Sequence, residues 1–435
     1  IFAGTGVLAA MILEMTFVPA LRSLLPAPRV HETDRENRIG VLDHLLLGFS
    51  DRLVGGKAPI IFLLAASVIL LTSAGMLWMR VDNSLKHYSR EGSEVRVHDE
   101  ALNARLGGTN SILFLVQGGN GSLKDPSVLK GIAALQDFLN KQENIGKTQS
   151  IADLVKRMNQ AVHGDNPTYY TVPDDRNLIA QYLFLYTLSV DPQDFDSLVD
   201  NDYSNAAIWV FLKTDSTAYA QALYEKASTV IAQSFSPGIS VQMGGSLPQT
   251  IAGNEELTRG KFMNILQMVV VVFLLGSLAL RSFVGGIFVI APLVMVILAN
   301  FGLMGWLGIP LDMGTATTAA MAIGIGADYE LYLLFRFREE LARTGNLSDA
   351  TRYSLSTSGK AVLFVSMSVA LGYATMLTSG FGFYTRLSTM VISTMLVSAL
   401  AALIFLRAMM VIFRPRFIFG DQNAVVVSQR VASVE

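Results

Sequence analysis

The sequence predicts a polytopic α-helical membrane protein with an inserted α+β, ferredoxin-like domain held outside the cytoplasm. Three observations predict it. Of the 435 residues, 51% are hydrophobic and only 16% are charged, whereas a soluble domain carries roughly a quarter charged residues. Several uncharged gaps reach the ~20 residues that a helix needs to cross a bilayer core. The charge is also split: residues 81–260 hold 14 Lys/Arg and 21 Asp/Glu, net −7, and the rest hold 19 and 14, net +5, behind a formal total of −2. An acidic, water-soluble part is joined to a basic, apolar one.

In chain order, the opening run IFAGTGVLAAMIL lacks a basic n-region and a small-residue cleavage site. Residues 1–21 therefore read as the end of a membrane helix of a preceding repeat, not a signal peptide, and the sequence as the C-terminal part of a longer chain. Residues 22–57 read as a cytoplasmic linker in which Ile39, Leu42, Leu45, Leu46, Phe49 and Leu53 recur at helical spacing. The amphipathic helix they imply lies on the membrane face or packs against the cytoplasmic ends of other helices. Residues 58–80, between Lys57 and Arg80, form a span. Residues 261–413 hold five more, in the gaps Lys261–Arg281, Ser282–Leu311, Met313–Phe335, Lys360–Arg386 and Arg386–Arg407. The loop 336–360 and the tail 414–435 are cytoplasmic in this reading, and with the first helix the spans number seven.

Basic residues set the orientation, because cytoplasmic loops carry the Lys/Arg excess. Arg22, Arg29, Arg35, Arg38, Arg52 and Lys57 fall on the same side as Arg281, Arg336, Arg338, Arg343, Arg352, Lys360, Arg414 and Arg416, while the short loops 307–312 and 380–386 contain only Arg386. The domain 81–260 then lies on the opposite, extracytoplasmic side.

Within that domain, period and turn signals give strand 111–117, helix 126–141, a short strand at 145–150, helices 151–162 and 175–188, strand 206–213, helix 216–234 and strand 239–243. The outer elements read β-α-β twice, the order of a split βαβ fold with an insertion between its halves. The run DPQDFDSLVDND, with five Asp in twelve residues, lacks the Gly and terminal Glu of a calcium loop and reads as a solvated loop. The absence of cysteine and five histidines outside the apolar runs leave thiol and zinc chemistry without ligands. No serine nucleophile elbow is visible, so an enzyme is not expected.

The residue that carries chemistry is Asp328. It lies roughly 22 Å along the helix from Met313 and roughly 12 Å before Arg336 at 1.5 Å per residue, inside the hydrocarbon. A charge there costs about 2.5–3.5 kcal/mol on insertion scales, and such a carboxyl can load and release a proton near physiological pH. Ala316, Ala320, Gly324 and Asp328 follow at i, i+4 spacing and give a small-residue stripe along which another helix can pack closely. Gly326 adds a second glycine beside the acid, Tyr329 a phenol, and Thr315, Thr317 and Thr318 hydroxyls upstream. Glu330, about 200° around the helix from Asp328 at ~100° per residue, reads as a carboxylate at headgroup level or facing a loop, with a relay role as its second reading. Glu14 reads as interfacial or structural.

The segment GIGADYELYLLFRFREEL resembles the Gly-rich fourth-helix signature of the RND superfamily, in its MMPL-like branch, and GGSLPQTIAGNEELTRGKF is similar to that family's junction between porter domain and membrane. One span, a large loop and five further spans repeat the family layout. The resemblance implies a proton-driven exporter of a lipid or other hydrophobic cargo in a bacterial inner membrane, with 81–260 as a periplasmic porter domain and Asp328 and Tyr329 as the proton-relay pair. It implies protons as the coupling ion with no other cofactor, and no metal. The implied partners are membrane lipids, the N-terminal half of the same protein, a periplasmic carrier or adaptor and further copies of the protein as a trimer or none, with no nucleic acid. In the multidrug-efflux branch a Lys stands on this helix, so Asp328 departs from that branch. A non-transporting, lipid-sensing receptor or scaffold of the same fold is the alternative.

Overall fold

A computed structural model describes residues 2–24, 41–52, 56–188, 195–312 and 314–420. Helix α1 is Phe2–Leu24, α2 is Val41–Arg52, and α3 is Ala58–Ser73, continued by a 3₁₀ segment to Trp78. Next come α4 (Glu94–Leu106), β1 (Asn110–Gln117), α5 (Pro126–Leu139), β2 (Ile145–Gln149), α6 (Ile151–Val162) and α7 (Arg176–Thr187). The inserted region closes with β3 (Asn205–Leu212), α8 (Thr217–Ser234) and β4 (Ser240–Gly244). Long helices return as α9 (Ser246–Leu280), α10 (Phe283–Trp306) and α11 (Thr318–Thr344). They are followed by α12 (Leu347–Ser354), α13 (Lys360–Ala374), α14 (Gly382–Leu400), α15 (Arg407–Phe413) and α16 (Arg416–Phe419).

Among the described residues, six stretches are long and apolar enough to cross a membrane: Gly4–Leu24, Ala58–Trp78, Ser246–Leu280, Phe283–Trp306, Leu347–Thr378 and Gly382–Phe413. The seventh expected span falls on α11, whose Asp328, Glu330 and charged residues from Arg336 onward make it less apolar than the other six. Even so, α11 is held between α10 and α14 in the middle of the bundle.

Strand order in the sheet is β2-β3-β1-β4, every neighbour antiparallel. Period-2 alternation explains how it is covered: Ile112, Phe114 and Val116 of β1 and Ala206, Ile208, Val210 and Leu212 of β3 are buried against the helices, each large side chain contributing about 1.5–3 kcal/mol. Helix α4 is an element the pattern does not announce. Its apolar residues Val95, Val97, Leu102 and Leu106 are exposed, so it has no core-facing stripe. The acidic run is also not a solvated loop in its second half. Residues 191–194 lie outside the described residues, but Phe195, Leu198 and Val199 are buried. Burial pushes the Asp200 carboxyl up, yet hydrogen bonds from the backbone and side chains of Asn205 and Ser204 outweigh it and hold the carboxyl at about 2.

Of the linker, residues 25–40 and 53–55, with Ile39 and Leu53, lie outside the described residues. Helix α2 packs on α12 and the segment Leu355–Gly359, with Leu46 in the bundle core and an Asp51–Arg352 ion pair at 3.7 Å. Of the two readings of this amphipathic helix, packing against helix ends describes it. The start of the tail folds back likewise, since Ile418 of α16 is buried in the same core; residues 421–435 lie outside the described residues.

Two joints connect the sheet domain to the bundle. Helix α9 is continuous from Leu247, in the domain core, to Leu280, in the bundle core. Its start lies well before Lys261, where the sequence places the span, because a charged segment read as a junction is itself helical. The second joint is the strap 79–89. Asp82 accepts from the hydroxyls of Ser216 (2.9 Å) and Thr217 (3.2 Å) and the Ala218 N–H (3.2 Å), capping α8, while Asn83 donates to Asn254 of α9 at 2.8 Å. Val81 pairs with Leu311 and Ser89 with Phe381. Both short loops therefore stand at the domain end of the bundle, as alternating spans require.

Helices α3 and α10 cross in backbone contact. A Cβ on Gly302 would stand 2.0 Å from the Thr72 carbonyl oxygen, and one on Gly305 would stand 1.8 Å from that of Gly75. Trp306 closes the crossing by donating to the Thr72 carbonyl at 3.1 Å. Small residues let membrane helices approach this closely. Gly302→Ala is expected to lower the melting temperature of the purified protein by the equivalent of about 1–3 kcal/mol. Gly253→Ala, where a Cβ meets nothing within 4 Å, should leave it unchanged; equal melting of the two variants would refute the tight crossing.

Candidate functional site

Helix α11 begins after a 3₁₀ turn, Thr315–Thr317, and runs to Gly345, whose φ of +63° ends it with its N–H on the Leu341 carbonyl. The expected stripe does not hold one face. Each i, i+4 step drifts ~40° at ~100° per residue, and the 3₁₀ turn at ~120° per residue adds to it, so Ala316 and Asp328 stand well apart around the axis: Ala316 is buried while Gly324 and Asp328 are exposed. The side chain of Ala320 lies outside the described residues. The stripe is thus Gly324 and Asp328, on a face that the described residues leave open: a Cβ on Gly324 would meet nothing within 4 Å.

The other face is closed. Glu330 is 0% exposed, and neither of its carboxylate oxygens has a hydrogen-bond partner among the described residues; the same holds for the Tyr329 hydroxyl and the Ser398 hydroxyl. This corrects the headgroup-level or loop-facing placement of Glu330. Counting residues to the helix end located its depth approximately, but depth along a helix says nothing about which side a neighbour covers. Gly326 makes the packing possible, since a Cβ there would stand 2.4 Å from Leu293 of α10, 3.0 Å from the Ser398 hydroxyl of α14 and 3.9 Å from a Glu330 carboxylate oxygen. Two carboxyls on one membrane helix therefore face opposite ways, Asp328 outward and Glu330 into the bundle. Thr318 donates to the Thr315 carbonyl at 2.7 Å, and Thr317 is exposed. Glu14 is exposed on α1.

The family model for the MMPL family matches residues 90–428. The chain belongs to the MMPL family. The resemblance carried by GIGADYELYLLFRFREEL is therefore upheld over most of the chain. Among relatives, membrane protein MJ1562 of Methanocaldococcus jannaschii is 23% identical over 254 residues, 58% of this chain and 62% of that protein. The trehalose monomycolate exporter MmpL3 of Mycolicibacterium smegmatis is 27% identical over 152 residues, 34% of this chain and 14% of the exporter. The apo-petrobactin exporter of Bacillus anthracis is 29% identical over 154 residues, 34% of this chain and 21% of the exporter. The matched part is less than two thirds of each relative's length.

This MMPL chain also contains polar groups that a search for charges within apolar runs passes over. Asn300 of α10 donates to Thr394 of α14 at 2.8 Å and accepts from Ser393 at 3.1 Å, a neutral tie across the bundle. Arg407, taken in the sequence as the end of the last span, is 1% exposed and inside the continuous stretch Gly382–Phe413. It donates to Ser354 at 2.7 Å and lies 5.2 Å from the Phe337 ring centroid. Asp312, in the loop before α11, accepts from the Thr315 N–H at 2.8 Å and pairs with Arg386 at 3.0 Å, its own side chain 1% exposed. Asp three residues before Thr at a helix start was the available signal. Among the described residues no group of three or more His, Asp or Glu is placed to hold a metal ion.

Breaking a buried ion pair by removing one partner costs about 3–5 kcal/mol, whereas replacing both by apolar groups is often neutral. Arg386→Met should therefore destabilise the protein strongly in detergent melts, and Asp312→Asn added to it, which removes the charge but keeps an acceptor for the Thr315 N–H, should restore most of the loss. A double variant no more stable than the single one would show that the pair is not what ties loop 307–314 to α14.

Proposed function

We propose that this chain is the C-terminal repeat of a proton-driven MMPL exporter of a lipid or other hydrophobic, amphiphilic cargo, and acts as a secondary transporter, not an enzyme. The observation that carries the reading is the outward-facing Asp328. An acid in the middle of a membrane-buried helix is rarely left against lipid, so a second helical repeat, the N-terminal half of the same protein, is the cover we assign to the open Gly324–Asp328 face. Asp328 then takes the family's relay position at the interface between repeats, while its relay partner Tyr329 and the acid Glu330, both buried on the closed side, lie behind it.

The strand order β2-β3-β1-β4, all antiparallel, with one helix in each βαβ half, supports a ferredoxin-like porter domain. The basic residues gathered at the bundle end far from that domain support its placement in the periplasm and the bundle's in an inner membrane. The exporter names among the relatives support cargo that is acyl-lipid-like or otherwise amphiphilic. Each proton crossing contributes about 2.3 kcal/mol per 100 mV, enough to bias a helix bundle between two arrangements. Helix α9 and the strap are the parts through which the bundle would move the porter domain.

The test uses the full-length protein in proteoliposomes with a fluorescent acyl lipid as cargo and an entrapped pH dye. Asp328→Asn is expected to reduce proton-gradient-dependent lipid movement and coupled proton flux to background while protein yield and melting stay as in the parent. Export that keeps its magnitude and pH dependence in Asp328→Asn would end the relay proposal.

A further inference from the structure

The inserted domain is acidic overall, yet its root against the bundle is basic. Two clefts of about 690 and 640 Å³ open there and share His87 and Arg386. Arg90 and Arg96 line the first and Arg80 the second. Trp78 and Trp306 wall the second cleft, with ring centroids 4.9 Å apart and both residues more than half exposed. These tryptophans are the last residues of the apolar stretches Ala58–Trp78 and Phe283–Trp306. Tryptophan at such positions marks the headgroup level of a bilayer, so the clefts open where lipid headgroups lie.

Some of the positive charge there is already committed. Arg386 is held by Asp312, and Arg96 has the exposed Glu91 at 3.9 Å. Lys86, next on the strap, is paired with Asp99 at 2.8 Å. Asp82 shares the second cleft; one of its carboxylate oxygens accepts from the neutral donors at the start of α8, and it forms no ion pair with Arg80. Arg80, His87 and Arg90 make no side-chain hydrogen bond or ion pair with any described residue. Two guanidinium groups near the span ends thus have no ion-pair partner among the described residues, with one acid in each cleft, Asp82 and Glu91, beside them and apolar wall from Ile309, Leu377 and the tryptophan pair.

From this juxtaposition we infer that the two clefts, adjoining through His87 and Arg386 as one groove along the strap, bind the headgroup of an anionic membrane lipid, with Arg80 reaching it from one cleft and Arg90 from the other, and Trp78 and Trp306 flanking its glycerol and upper acyl chains. Guanidinium presents a planar fork of donors that matches phosphate oxygens. The apolar wall is what favours a lipid over a free anion, because inorganic phosphate has nothing to place against it. A lipid held here touches the strap that joins the porter-like domain to loops 307–314 and 379–386. The site goes beyond the export reading and does not depend on the proton relay.

The test is native mass spectrometry of the full-length protein released from nanodiscs of phosphatidylcholine containing a minor fraction of phosphatidylglycerol. Phosphatidylglycerol is expected to be retained in preference to phosphatidylcholine. Arg80→Gln with Arg90→Gln should lower that retention roughly ten-fold or more, given what each basic group near an anionic surface contributes. Arg80→Lys with Arg90→Lys should keep most of it, excess inorganic phosphate should not displace the lipid, and all variants should melt as the parent does. Asp328→Asn should retain phosphatidylglycerol unchanged, which separates this site from the fate of the relay. Equal retention of the two lipids, undiminished retention in the double Gln variant, or displacement by inorganic phosphate, which would assign the groove to a free anion, each overturns the proposal.

Discussion

A bilayer core gives a carboxyl group no water to solvate it, and that constraint organises the centre of this bundle. Helix α11 carries two acids two residues apart, and 3.6 residues per turn point them to opposite sides. One is sealed by α10 and α14, in the space kept by Gly326 between Leu293 and Ser398. The other is left on the face where Gly324 exposes backbone. The same helix therefore has one side closed by its neighbours and one that the described residues leave open. What differs between the two sides is the neighbour: Leu, Ser and Tyr inside, and small residues with a carboxyl outside.

Around that helix the structure is tied in two unlike ways. Backbone contact through Gly75, Gly302 and Gly305 locks α3 to α10, with Trp306 bonded across the crossing; such a contact has no slack, because any added carbon displaces a carbonyl. The domain end is tied instead by polar contacts that can exchange partners: Asp82 and Asn83 reach α8 and α9, and Asp312 with Arg386 joins the loop before α11 to the start of α14. The chain 79–89 runs from the rigid crossing straight into this polar layer. A shift of α11 at its domain end moves Asp312, hence Arg386, whose guanidinium lies 5.5 Å from the Tyr88 ring centroid, and Tyr88 is in the strap. The contacts thus form an unbroken physical path from the acids' helix to the domain, although contiguity alone does not measure coupling.

Much of this was legible in the sequence for a definite reason. Strands such as Asn110–Gln117 and Asn205–Leu212 alternate strictly, and helices such as α5 bury a periodic face, so period alone located them. Uncharged gaps located the spans because nothing but length and apolarity is needed to cross lipid. What the sequence left hidden depends on the third dimension. The start of α9 was missed because its polar first half looks like a linker until Leu247 is seen in the domain core. Helix α4 was missed because it has no buried stripe to read. Ala316 was assigned to the wrong face because i, i+4 positions drift ~40° per step and a 3₁₀ turn adds to the drift. Glu330 was assigned to the wrong environment because a position along one helix does not reveal the two helices that enclose it. Arg407 was taken for a boundary, since an arginine in hydrocarbon is rare enough that ending a helix there is the better guess; Ser354 takes one guanidinium nitrogen and the Phe337 ring lies beside the group, while Nε and Nη2 have no hydrogen-bond partner among the described residues.

The formal charge of −2 is the sum of layers that act at different ranges. At the far end, arginines are largely answered locally, Glu340 alone holding Arg336 at 2.9 Å and Arg343 at 2.8 Å. At the domain end, Arg80 and Arg90 stand without such an answer below a domain of net charge −7 over residues 81–260. The domain's charge is diffuse and lies in water, where salt screens it beyond about 10 Å. The arginines of the strap groove sit against low-dielectric wall at hydrogen-bonding range of anything that enters, where screening is weak. An anion approaching from solution meets mild repulsion, whereas an anion arriving along the plane of the membrane meets the arginines first. The fold therefore favours negatively charged groups that come by way of the bilayer over those that come by way of water.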